Sequence, residues 1–209
     1  MKKIILIGAG GHCRSCIDVI KSTERYSIVG IINKDKASQL AVDGIPIIGT
    51  DKNINTLAKK FNYFHITIGQ IRTANNRTKI FEKLKKLEVK LDPIFSSTCY
   101  ISPTSKILSG SIVMHQAFIN VNSVIGENTI VNTQAIIEHD CKIGNNCHIS
   151  TGVKINGSVT IGDNTFIGSG SIIYQGVTIG SKSIISAGSI VRENVKSRSL
   201  FRNDINNVR

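Results

Sequence analysis

Tryptophan is absent from the 209-residue sequence, and aromatic residues make up only 5% of it. With 41% hydrophobic residues, a core must be filled mainly by aliphatic side chains, here rich in isoleucine, which favours β structure. Acidic residues are scarce, 14 against 26 Lys and Arg, for a formal charge of +12. Such a surplus suits nucleic acid only when basic residues gather with aromatics; here they are scattered over residues 1–92 and the tail, so no nucleic-acid partner is expected. A positive field of this kind instead steers small polyanions. Long apolar runs are lacking too: after Met1-Lys2-Lys3, the stretch Ile4-Ile5-Leu6-Ile7 stops at Gly8, too short for export or membrane insertion, so a cytoplasmic location is expected. The five cysteines are odd in number and lack framework spacing, and are expected to be reduced thiols. Cys13-Arg14-Ser15-Cys16 matches C-x-x-C, but no second pair completes a metal site, and no metal is expected.

What is present divides the chain in two. Residues 1–97 alternate strand and helix signals: a buried strand Lys3 to Ile7, a helix from about Arg14 to Lys21, a strand Ser27 to Ile32, a helix near Ile54 to Lys60, a strand Tyr63 to Ile68 and a long basic helix from about Thr73 to Lys86. This βαβ order predicts a Rossmann-like parallel-sheet domain, α/β in class. Between the first strand and helix stands Gly8-Ala9-Gly10-Gly11-His12. Glycines there let a backbone approach a ligand closely, and a helix start presents free N–H groups suited to phosphate. The run does not complete G-x-G-x-x-G because position 13 is Cys, so a tight turn without a ligand stays open beside a phosphate site.

Residues 98–194 are far more specific. Every sixth position from Ile101 to Val191 is Ile or Val, sixteen hexads without a gap, and four residues after each aliphatic sits a small or β-branched side chain such as Ser105, Ala117, Cys141 or Cys147. A six-residue period is neither helical nor simple strand alternation; it is the signature of a parallel β-helix. Three hexads make one triangular coil, so about five coils are expected, in a prism ~25 Å tall. Residues 195–209 form a basic tail.

Within the hexads, Ile137-Glu138-His139-Asp140-Cys141 interrupts a neutral repeat with carboxylates on both sides of an imidazole. An imidazole held by a carboxylate accepts a proton near neutral pH. A solvated polar turn is the bland alternative. Gly157, one coil of 18 residues beyond His139, is a candidate amide donor for an oxyanion.

Three segments together, Gly8-Ala9-Gly10-Gly11-His12, Ile68-Gly69-Gln70-Ile71-Arg72 and Ile137-Glu138-His139-Asp140-Cys141-Lys142-Ile143-Gly144, resemble the sialic-acid O-acetyltransferase and UDP-bacillosamine N-acetyltransferase family of left-handed β-helix proteins, in the same order over nearly the whole chain. The resemblance implies a homotrimer with each site between two subunits, acetyl-CoA as co-substrate and a nucleotide sugar as acceptor. It implies His139 as proton acceptor with Asp140 raising its basicity. Gly10, Gly11 and His12 would hold the nucleotide sugar, Asn33, Lys34 and Asp35 would lie near the uridine, and Gly69 would complete that pocket. His148 would contact acetyl-CoA, and Ser169 and Ala187 would follow its groove. Two departures stand out: Asn33 replaces the family's Asp after the second strand, and the tail Lys196-Ser197-Arg198-Ser199-Leu200-Phe201-Arg202-Asn203 replaces a Gly-x-Pro-Ala motif.

The leading reading is N-acetylation of an amino group on a UDP-linked sugar for surface glycans; O-acetylation of a sialic-acid-like sugar uses the same base. A zinc carbonic anhydrase-like enzyme would need converging histidines including a pair five apart, whereas His139 and His148 are nine apart and His115 lies 24 before His139. A non-catalytic β-helix would have no reason to carry Glu138-His139-Asp140.

Overall fold

The computed structural model describes residues 1–34, 41–70 and 72–202. In the N-terminal region β1 (Lys2–Ile7), α1 (Gly11–Ser22), β2 (Tyr26–Ile32), β3 (Ala41–Val42), β4 (Ile45–Gly49), α2 (Ile54–Ala58), β5 (Tyr63–Ile66) and α3 (Asn75–Lys86) build a sheet of order β3-β4-β2-β1-β5. Strands β4, β2, β1 and β5 are parallel, as the alternating pattern predicts. The antiparallel edge β3 is an addition: Asp43 and Gly44 both take positive φ (47° and 80°), the tight two-residue turn that folds a hairpin. Strand β1 is buried along Ile4–Ile7, and its end turns at Gly8 (φ 110°), where a Cβ would lie 2.5 Å from Ile68 Cγ1.

From Ile94 onward the chain winds through two-residue parallel strands stacked into three sheets of six, five and seven, a left-handed β-helix. Up to Val191 each strand pairs with the one 18 residues on, for example Ile136–Ile137 with Lys154–Ile155. The repeated aliphatics point inward: Val113, Ile119, Ile125, Val131, Ile137, Ile149 and their successors are buried, each contributing about 1.5–3 kcal/mol of hydrophobic stabilisation. The small residues four positions later are buried as well, and their hydroxyls tie coils together; Ser123 Oγ donates to Glu138 O (2.7 Å) and accepts from Cys141 N (3.1 Å). Cys141 and Cys147 occupy this register as packed thiols, pushed up to about 11 and about 12 by burial.

The eighteen strands make six coils rather than about five. The extra rungs lie at the ends. Ile94–Phe95 forms the first, with Phe95 in the inward register where the repeat otherwise holds an aliphatic. After Val191 the step shortens to four residues: Val195 bridges Ile179, and Leu200–Phe201 pairs with Ile184–Ile185, so part of the tail is a strand.

The two regions share a core. Outward side chains of the first coils, Ile94, Ile112, Met114 and Ile130, pack with Cys13, Cys16, Ile17 and Ile20 of α1. Arg77 of α3 crosses the same seam to carbonyls of the β-helix.

Candidate functional site

Three places collect the chemistry. The first is a cavity of about 690 Å³ at the C-terminal ends of β1, β2 and β5, lined by Gly10, Gly11, His12, Asn33, Lys34 and Gly69. This is where a parallel sheet places its ligand. Gly10 is the uncapped N-cap of α1, and a Cβ at Gly10 or Gly11 would meet nothing within 4 Å, so both face open space. Cys13 N–H is given to Gly10 O (2.9 Å), which leaves the Gly11 and His12 amides at the start of a twelve-residue helix facing an anion. Asp35 lies outside the described residues. Asn76 and Lys79, one turn apart on α3, close the opposite wall, and Asn132 and His148 of the β-helix form its floor.

The second is a groove of about 780 Å³ along one edge of the prism, lined by His148, Ser169 and Ala187 together with Ser150, Phe166 and Leu200. Ser150 and Ser169 share a 2.8 Å hydroxyl contact. Arg72 and Arg202 flank the groove, and among the described residues no acidic one lines it. Neutral hydroxyls, an apolar strip and two cations fit a long, flexible thioester carrying phosphates.

His148 and Gln70 line both spaces, which are thus neighbours across one wall. His148 Nδ1 lies 2.9 Å from Gln70 O and must donate to it, which leaves Nε2 as acceptor of Asn132 Nδ2–H at 3.2 Å. With both nitrogens engaged, the ring offers a ligand its edge and face.

The third place is the corner carrying His139. Its Nδ1 lies 2.8 Å from Asp140 Oδ2. Asp140 also accepts from Asn122 Nδ2 (3.3 Å), and the bonds from His139 and Asn122 hold its carboxyl below the usual range. With Nδ1–H given to a carboxylate, Nε2 keeps its lone pair for an incoming proton. Asn120 holds Glu138 in turn, its Nδ2 2.6 Å from Oε2. Gly157 lies directly beneath the ring: a Cβ there would sit 2.5 Å from Cε1 and Nε2.

The other histidines differ. Burial is the main cause that pushes His12 to about 4 and His65 and His148 to about 3, so all three are neutral at working pH. His115 is engaged by Ser96 Oγ (2.5 Å) and Asp18 Oδ2 (2.9 Å). Among the described residues no group of three His, Cys, Asp or Glu could hold a metal ion.

Within one chain, His139 lines neither cavity nor groove. It follows strand Ile136–Ile137, whereas the groove runs beside strands His148–Ile149, Phe166–Ile167 and Ile184–Ile185 of another face. Sequence reasoning missed Gln70, Asn132, Asn76, Lys79, Arg72 and Arg202 as lining residues. Gln70 and Arg72 stood in the segment Ile68-Gly69-Gln70-Ile71-Arg72 that carries the family resemblance, without an assigned role, and the spacing of Asn76 and Lys79 on one helical face carried a further signal.

Family profiles match three stretches: "PglD N-terminal domain" over residues 3–84, "Bacterial transferase hexapeptide (six repeats)" over 122–157 and "Hexapeptide repeat of succinyl-transferase" over 158–193. Among solved structures, the acetyltransferase domain of PglB from Neisseria gonorrhoeae FA1090 in complex with acetyl coenzyme A is 30% identical, with 97% of each chain covered and a TM-score of 0.85. PerB from Caulobacter crescentus in complex with CoA and GDP-perosamine is 28% identical, covering 94% of this chain and 92% of that one, TM-score 0.87. A histidine-to-asparagine variant of perosamine N-acetyltransferase from Caulobacter crescentus, in complex with the same two molecules, is 28% identical over 94% and 91%, TM-score 0.89. No curated protein matches the sequence.

Proposed function

The chain belongs to the family of hexapeptide-repeat acetyltransferases with a PglD-type N-terminal domain, and on that premise we propose how its residues divide the work of acetyl transfer. It is an acetyl-CoA-dependent N-acetyltransferase acting on an amine of a nucleotide-linked sugar. Solved relatives were captured with GDP-perosamine, so the nucleotide is not restricted to the uridine that the sequence resemblance implies. The cavity at α1 takes the nucleotide sugar: first-turn amides and Lys34 or Lys79 face its phosphates, and Asn33 lies at the base end. The groove takes the co-substrate, with Arg72 and Arg202 toward its phosphates and Ser169 and Ala187 along its chain. Arg202, just after the tail strand Leu200–Phe201, belongs to the segment that replaces the family's Gly-x-Pro-Ala motif and lines this groove.

The observation that carries the catalytic assignment is the His139–Asp140 pair, exposed at a prism corner with Nε2 free. As the amine nitrogen attacks the thioester carbonyl, Nε2 of neutral His139 takes its proton, and the imidazolium is held by Asp140. When the carbon–sulfur bond breaks, that proton passes to the departing sulfur, giving an amide and a free thiol. The Gly157 amide is the candidate donor to the oxyanion. Since His139 is remote from both binding spaces of its own chain, a neighbouring subunit supplies one half of each site, and a trimer closes three sites at once.

The purified protein is expected to acetylate UDP- or GDP-linked 4-amino sugars with acetyl-CoA, measured by thiol release and mass spectrometry of the product. Turnover only on a sugar hydroxyl, or none with any amino sugar, would sink the N-acetyl reading.

A further inference from the structure

Arg77 is only 1% exposed, yet among the described residues no carboxylate pairs with it. Its guanidinium donates instead to carbonyls of the β-helix, Asn128 O through Nη1 and Asn146 O (2.9 Å) and Cys147 O (3.3 Å) through Nη2, and to the side chain of Gln70, Oε1 at 2.6 Å. A buried cation without a counter-ion costs several kcal/mol relative to an apolar replacement. Bulk stability is therefore a poor reason for an arginine at this position.

What the arginine does locally is hold Gln70. That residue sits in the short segment after β5 and faces both binding spaces. Its main-chain carbonyl is the acceptor that fixes the His148 ring, and His148 is the wall that both spaces share. The chain of contacts runs from α3 of the nucleotide-binding region, through Gln70, to the first residue of strand His148–Ile149. Asn132 completes it from the other side. We infer that Arg77 is a positioning residue: by clamping Gln70 it fixes His148, and so sets the spacing between the bound nucleotide sugar and the bound thioester. The inference rests on the assignment of the two spaces made above.

Such a role has a kinetic signature distinct from a loss of folded protein. Unfolding lowers the amount of active enzyme and leaves both KM values alone; a loosened shared wall raises the KM for acetyl-CoA and the KM for the nucleotide sugar together. Gln70→Ala removes the Oε1 acceptor and keeps the main-chain carbonyl. It is expected to raise both KM values about tenfold, the scale of one lost charge-assisted hydrogen bond; the same loss lowers the melting temperature, which the KM readout separates from the positioning effect. Gln70→Glu keeps an oxygen for Arg77 and is expected to restore both KM values to within about threefold of the parent. Arg77→Lys keeps the charge but loses the fork that spans Gln70 and the β-helix carbonyls. Combined with Gln70→Ala it should cost no more than the worse single change, because the two act as one unit. Unchanged KM values in Gln70→Ala, a rise confined to one substrate, a Gln70→Glu enzyme as impaired as the alanine variant, or additive effects in the double variant would each overturn the inference. An unsubstituted protein without acetyltransferase activity would instead overturn the functional assignment.

Discussion

His139 owes its chemistry to three neighbours that the coil period puts in place: Asp140 beside it, Asn122 one coil before Asp140, and Gly157 one coil beyond the ring itself. Replacing His139 by Ala is expected to lower kcat by ~10²–10⁴ with the melting temperature unchanged, since the side chain is partly exposed and packs no core. Gly157→Ala should do nearly as much damage by displacing the ring, which steady-state kinetics on folded protein would register. The buried histidines give a separate expectation. Between an ordinary histidine value near 6.5 and the depressed values of His12, His65 and His148, the unfolded chain binds protons that the folded chain refuses. This contribution to stability is thus complete above about pH 6.5 and falls as pH drops toward about 3. Both His65 ring nitrogens are buried without partners, so His65→Leu should flatten the dependence of melting temperature on pH by one proton; an unaltered slope would count against it. At this scale the sequence made His139, Asp140 and the glycine turn legible because their meaning is local. Arg77 reads as one more surface cation of a basic helix, for its β-helix partners lie 51, 69 and 70 residues away. Asn132 was hidden for the same reason, and Gln70 showed only as part of the Ile68-Gly69-Gln70-Ile71-Arg72 segment, without a role.

The hexad as an element was legible from one inward aliphatic in six. What that reading passes over is the residue three positions after the aliphatic, which turns most corners with positive φ: Gly110, Asn122, Asn128, Asp140, Asn146, Gly152, Asn164, Gly170, Gly176 and Gly188 do so, and so do the less suited Gln116, Gln134 and Ser158. Gly, Asn and Asp tolerate this conformation and most side chains do not, so the choice of corner residues is conformational first. Asp140 therefore answers two demands, the bend and the imidazole. Lys182 takes the same conformation (φ 60°) without such an advantage. Lys182→Gly is expected to stabilise the fold by roughly 0.5–1 kcal/mol after the glycine entropy cost, read as a higher melting temperature; a lower one would contradict the corner argument. The ends of the prism were harder to see, because Phe95 and Phe201 substitute aromatics for aliphatics and one step shortens to four residues.

For the whole molecule, the decisive fact is that one chain presents the His139 corner and the two binding spaces on different edges. The face that leads to His139 carries an exposed apolar patch at its first coils, where Tyr100 and Phe118 stack at 4.8 Å while 51% and 36% exposed, with Lys154 further along it. A second copy is the natural cover, and light scattering is expected to give three times the 22.7 kDa chain mass. Phe118→Glu should yield smaller species that still bind nucleotide yet turn over poorly. A monomeric, fully active parent protein would refute the shared-site arrangement. No helix among the described residues is long and apolar enough to cross a membrane.

The eighteen-residue spacing between stacked strands also restricts how this chain can change length over generations. An insertion of one or two residues between His139 and Gly157 would rotate everything downstream onto the wrong face and part the ring from its glycine. Gains and losses in the prism should therefore come in whole turns, in loops that bulge out at corners, or at the far end, where the four-residue step to Val195 is already such an irregularity. The scaffold behaves as a ratchet: it admits growth in fixed increments and protects the register of every residue already in place.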